Sequence, residues 1–305
     1  MKAAYLPDRG VVKVAGDGAP NFLQGLLTNN VLKIPPETAR FAALLTPQGK
    51  IIADFFIVEA PAADGGGFFL DVARTLVAPL IAKLNLYKLR AKVIVEDLSE
   101  VLGVLAVWDG DAESATAKAG LRYADPRLAA LGLRIMLPPH RAEAVATGLG
   151  AMLVGLGGYD AHRIALGVPQ GGADFGYGDA FPHEADMDQF GGIDFAKGCY
   201  VGQEVVSRME HRGSARTRAV PVTYDAAAPQ AGSAVTAGGQ SAGTMGSSAG
   251  GKGLALVRLD RAAEALSRGE ALTAGGVPIR LVKPDWARFA FPGETGSSDT
   301  NRAAE

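Results

Sequence analysis

A single cysteine, Cys199, is the whole thiol content of this 305-residue chain. No intramolecular disulfide can form. The chain also cannot by itself supply the cysteine set that holds an iron–sulfur cluster or a structural zinc. So few thiols suit a reducing compartment. Histidine is almost as scarce, with only His140, His162, His183 and His211. No two of them have the i, i+4 spacing of a helical metal site, so no metal is expected. No apolar run approaches the roughly 20 residues of a membrane-spanning helix, so no membrane partner is expected. The opening run MKAAYLPDRGVVKVAG lacks the apolar core of a secretory leader, and a soluble, cytoplasmic protein is the expectation. Neither sign of charge is in excess, with 30 Lys and Arg against 32 Asp and Glu. That leaves no electrostatic footprint for nucleic acid, and no direct nucleic-acid partner is expected.

What is present is an ordinary globular composition, 48% hydrophobic, on a chain long enough for two or three domains. Residues 11–14 alternate as a short strand. Asp17 is placed to cap a helix through Phe22, Leu23, Leu26 and Leu27. Apolar runs at 41–46 and 51–58 flank Pro47-Gln48-Gly49 and predict a β-hairpin. A strand at 68–72, a helical face of Leu76, Leu80, Ile81 and Leu84, and a strand at 93–95 follow. A second round has strands at 101–108 and 133–137, a helix at 112–119 and another from Pro139 to Leu149. A helix over 159–168 precedes a Gly-, Asp- and Pro-rich loop at 170–190. This order predicts an α+β fold of two related α/β modules with antiparallel sheets. After Gly213, short apolar runs alternate with Gly-rich turns, as in a small β-barrel or sandwich. The expected division is a core at 1–212, a barrel at 213–285 and a polar, disordered tail at 286–305.

Three features carry chemistry, and a fourth is set aside. In Lys197-Gly198-Cys199-Tyr200-Val201-Gly202-Gln203-Glu204, a helix is expected to begin near Cys199 and run to His211, with Gly198 letting the backbone turn into it. The helix dipole and the Lys197 cation would then favour the thiolate. A small buried packing residue is the other reading. In Pro182-His183-Glu184-Ala185, a loop carboxylate is suited to the amidine-like edge of a ring such as a pterin, or is a surface residue or cap. Asp54 shares a strand face with Ile52 and Phe56, either functional or hydrogen-bonded at an edge. Residues 246–252 fit G-x4-G-K, but Gly253 replaces the Ser or Thr that would hold magnesium and a strand follows, so a nucleotide site is rejected. Lys88, Arg90 and Lys92 read as a solvated face.

The run from Lys197 to Glu204, with Arg208, resembles the signature of the YgfZ proteins and their mitochondrial relatives, the IBA57 group. These lie within the folate-binding superfamily of the glycine-cleavage T-protein, an aminomethyltransferase. Phe22-Leu23-Gln24-Gly25-Leu26-Leu27-Thr28-Asn29 resembles the family's first helix, and Leu45-Thr46-Pro47-Gln48-Gly49-Lys50 its first hairpin. The resemblance implies two ferredoxin-like modules around a central folate cavity, plus a C-terminal β-barrel. It implies tetrahydrofolate as ligand and a role in making or repairing iron–sulfur clusters in client proteins, including enzymes that modify tRNA. On it, Cys199 and Lys197 become catalytic candidates, and Glu184, Asp54, Asn29 and Arg208 cofactor-binding ones. Gly198, Tyr200, Gly202, Gln203 and Glu204 complete the motif. Aminomethyltransferases lack the Lys-Gly-Cys run, so glycine cleavage is not expected. Two rival functions remain: a one-carbon transferase using Asp54, and a folate-sensing module that docks on clients through the barrel without chemistry of its own.

Overall fold

The computed structural model describes residues 1–110, 120–213 and 215–293. The helix expected at 112–119 lies outside them. The chain opens with β1 (Lys2–Tyr5) and β2 (Arg9–Ala15), then a short helix α1 (Ala19–Gln24). The hairpin is present as β3 (Ala39–Leu45) and β4 (Ile51–Glu59), followed by β5 (Phe68–Ala73), α2 (Val77–Lys88) and β6 (Ile94–Asp97). Asp17 does not cap α1. Gly18 occupies that position without a side-chain bond, and Pro20 opens the helix, where its missing N–H costs nothing.

These strands form a sheet in the order β3-β4-β5-β2-β6. Both of its faces are buried. Val12, Val14, Ala42, Leu44, Phe55 and Ile57 pack on α1 and α2. Val11, Phe41, Ala43, Leu45 and Phe56 face the second module. That is why the strands read as nearly unbroken apolar runs rather than as simple alternation.

The second sheet holds β7 (Gly103–Trp108), β8 (Leu121–Ala124), β9 (Leu133–Leu137) and β10 (Met152–Leu153), with helices α3 (Ala142–Gly148) and α4 (Leu156–Ala165). Its order is β10-β1-β7-β9-β8. The first strand of the chain therefore lies inside the second module, and the two modules are threaded through each other. A four-residue segment at the start of a sequence carries no periodicity to reveal this. Only pairing with residues about 100 positions on explains it, as in Lys2 opposite Trp108.

After α5 (Gln203–Arg212), strands β11 (Thr217–Thr223), β12 (Ala234–Ala237), β13 (Gln240–Ala249), β14 (Lys252–Arg258), β15 (Leu272–Ala274) and β16 (Val277–Leu281) close into a barrel covered by α6 (Leu259–Ser267). The fold is thus mixed α/β with a closed C-terminal barrel, which decides between the barrel and the sandwich that the patterning left open. Residues 246–252 lie on the β13–β14 hairpin, with no helix to receive a phosphate. Gly246 has another use, because a Cβ there would stand 2.4 Å from Asp174 Oδ1. Asp174 accepts from the Ser247 N–H (2.7 Å) and pairs with buried Arg163 (2.7 Å), which docks the barrel on α4. The segment expected to be a polar tail from 286 begins with packed aromatics. The Trp286 ring lies 4.5 Å from that of Phe190, and Phe291 joins the barrel core. Residues 294–305 fall outside the described ones.

Candidate functional site

Cys199 is exposed, on an irregular segment between Gly191 and Gly202. The helix expected to begin at Cys199 begins at Gln203, after Gly202 in the left-handed region (φ 83°). The thiol stands four residues ahead of it, and a dipole acts only within the first turn. Lys197 does not lend its charge outward either. Its buried Nζ donates to the carbonyls of Gln24 (2.8 Å), Leu27 (2.5 Å) and Asn29 (2.9 Å), which uses all three protons. Burial draws its pKa down to about 8, against the opposing pull of Asp194. Neither the helix start nor the Lys197 ammonium is placed as the sequence expectation required.

The same contacts explain most of the motif. Asp194 Oδ1 accepts the N–H groups of Ala196 and Lys197, and the Asp194 N–H donates to Thr28 O. Asn29, expected to bind a cofactor, donates to Phe41 O and Gly191 O and accepts from the Asn30 N–H. It is a tether with both of its N–H donors committed. A Cβ on Gly202 would stand 2.5 Å from Thr46 O, so only glycine allows α5 to start against the hairpin turn. Gly198, expected to be the turning glycine, has no positive φ and open space around it. Tyr200 is buried, and its ring lies 5.2 Å from Lys197 Nζ. Gln203 is half-buried. Glu204 and Arg208 are exposed, and Arg208 has no hydrogen-bonding partner among the described residues. The three stretches 22–29, 45–50 and 197–205 thus meet in space. Their inward groups fix a loop that presents Cys199.

Glu184 is elsewhere. Its Oε2 accepts the Phe181 N–H (2.8 Å), closing its own turn. It does not line the cleft between the modules, and neither does Cys199. The two candidates do not share that cavity. Next to Glu184, His183, Asp188 and Glu210 offer ligand atoms within 4.8 Å of one another, although no metal was expected. Arg218 already holds both Asp188 oxygens (2.6 and 2.9 Å), so a fixed cation stands there.

Asp54 does line the cleft, with Asp8, Arg9, Phe41, Phe56, Arg127, Arg134, Tyr159 and Tyr177. It accepts from the Tyr177 hydroxyl (2.5 Å), and burial followed by the Asp54 charge raises that hydroxyl's pKa. Sequence reading missed the arginines and their partners. Arg9 and Arg134 grip Asp71 (2.5 and 2.9 Å), and Tyr123 donates to the same carboxylate (2.9 Å). Arg134 and Arg127 also hold Asp125 (3.1 and 2.8 Å). The signal was available, since Asp71 in Phe-Phe-Leu-Asp-Val-Ala and Arg134 in Leu-Arg-Ile-Met-Leu are charges inside buried strands, which demand partners. The cleft has room for about 20 Å³, roughly one water. The wall's orphaned buried atom, Asp8 Oδ1, needs no more than that. A ligand pocket is typically ~300 Å³ or more. With Glu184, Asn29 and Arg208 all outside it, the cleft does not fit tetrahydrofolate.

A mouse protein named iron-sulfur cluster assembly factor IBA57, mitochondrial, is 32% identical to this chain, over 92% of this chain and 84% of its own length. Its human counterpart is 33% identical over the same shares. The chain belongs to the IBA57 family. A homologue from Mycosarcoma maydis is 36% identical over 73% of this chain, which spans only 57% of that relative's length. Residues 216–289 match the family model described as the CAF17 C-terminal beta-barrel domain, which contains all six barrel strands. In fold the chain is similar to the glycine cleavage system aminomethyltransferase T of Bartonella henselae. The TM-score is 0.75 at 17% identity, over 95% of this chain and 87% of that one. This places the IBA57 family fold with the aminomethyltransferases and carries no activity across. The relatives' names put them in the mitochondrion, which overturns the cytoplasmic expectation. No described helix is long and apolar enough to cross a membrane.

Proposed function

We propose that this chain serves the assembly of iron–sulfur clusters in client proteins, and that the Cys199 thiol is the group that meets cluster, iron or client. One observation carries the reading: the chain's one cysteine faces outward on a loop whose neighbours Lys197 and Gly202 are locked inward. The relatives named as iron-sulfur cluster assembly factors support it. A cluster takes four protein ligands and this chain offers one thiol. A cluster held here therefore needs its other ligands from a second protein, and that partner is part of the proposal. The clients include, on the resemblance, enzymes that modify tRNA.

The test is complementation of cells lacking the chain. Wild type restores iron–sulfur enzyme activity, and Cys199→Ser leaves it near the deletion level. Full restoration by the serine variant would end the thiol reading. It would favour the rival of a docking module without chemistry. The aminomethyl-transferase rival needs a folate beside Asp54, and the cleft gives it no room.

A further inference from the structure

We propose that the central cleft of this chain is closed to reduced folates by its own arginines, and that an ionic clamp, not a ligand, makes the joint between the two modules. The faces that would stack on a pterin are taken. The guanidinium carbons of Arg134, Arg127 and Arg9 lie 4.4, 4.9 and 5.7 Å from the centre of the Phe56 ring. Arg134 also lies 5.6 Å from the Tyr159 ring and donates to its hydroxyl (2.7 Å). Guanidinium planes stack on aromatic rings as a heterocycle would, so they compete for the same surface.

These arginines are not free to swing aside. Arg9 and Asp71 belong to the first sheet, and Arg134 and Tyr123 to the second. Asp125 and Arg127 follow β8. Asp71 is fully buried and accepts from Arg9, Arg134 and Tyr123. Moving Arg134 out to admit a ring leaves Asp71 and Asp125 each short of a partner in the interior. A buried pair broken on one side weakens any coupled binding by roughly 100-fold or more. What remains is a cleft of about 20 Å³, lined by groups that, Asp8 Oδ1 apart, already satisfy one another. The aminomethyltransferase-like fold is kept, while the volume a folate would need is filled from within.

The experiment is calorimetric titration of the full chain with 5-formyltetrahydrofolate, repeated on Asp54→Asn and Tyr177→Phe. Both substitutions sit in the cleft wall and leave the clamp intact. We expect no saturable binding up to about 1 mM. Saturable binding that both substitutions leave unchanged lies outside the cleft and agrees with its closure. Saturable binding that either one weakens, or raises in stoichiometry or affinity, overturns the proposal. The complementation test of Cys199 is read separately, so the two ideas fail independently.

Discussion

Lys197 and Cys199 are two residues apart and have opposite duties. The ammonium is buried on three carbonyls, while the thiol is exposed. Lys197→Met strands those carbonyls, and unmade buried hydrogen bonds cost ~1–3 kcal/mol each at most. Its urea midpoint should correspond to a loss of about 3 kcal/mol or more. Cys199→Ser should stay within about 0.5 kcal/mol of wild type in the same measurement, as surface changes do. Both variants are expected to fail in complementation, for different reasons. A Cys199→Ser protein as unstable as the lysine variant would mean that the thiol is structural.

The start of α5 is an element-scale device. Gly202 turns the chain at φ 83°, and α5 then packs Val205 on the hairpin turn, where a Cβ on Gly49 would come within 3.0 Å of it. Gly202→Ala combines a disfavoured left-handed backbone with a clash on Thr46 O. It should destabilise by roughly 2 kcal/mol or more. Gly198→Ala meets no atom within 4 Å and should leave the thermal midpoint unchanged. The pair separates two glycines that look alike in the motif. Equal effects in a melting experiment would show that the hairpin contact does not matter.

For the whole molecule, the joint between the modules is electrostatic. Burial alone would raise the Asp125 carboxyl. The charges of Arg127 and Arg134 and the hydrogen bonds of Arg127 outweigh that and hold it near 2, against 3.8 unfolded. A depressed carboxylate pKa stabilises the fold fully above about pH 4, and the contribution is lost as pH falls through about 2. That share is roughly 2 kcal/mol. Asp125→Asn should flatten the acid limb of stability between pH 4 and 2 in urea titrations. Asp71→Ala strands Arg9 and removes one of the two carboxylates on Arg134, and should cost about 3–5 kcal/mol at pH 7. An unaltered acid limb in Asp125→Asn would show that Arg127 and Arg134 do not hold this second-module carboxylate ionised.

Sequence by itself determined the hairpin around Pro47-Gln48-Gly49, the strands and helix of the first round, the main strands of the second, and a β-rich C-terminal unit whose choice between barrel and sandwich the pattern left open. Their hydrophobic periods are local, and burial on one or two faces writes them directly into the order of residues. It also singled out Cys199, because one thiol in a specific motif stands out without a structure. Tertiary structure decided what the motif's other residues do. Lys197 serves the carbonyls of residues about 170 positions away, and Gly202 is required by Thr46. No local pattern encodes such partners. It also decided that β1 belongs to the second sheet and that the cleft is filled. Asp71 and Arg134 show in the sequence only as charges in apolar strands. That they meet across the joint depends on two sheets packing face to face, which only the folded chain brings about.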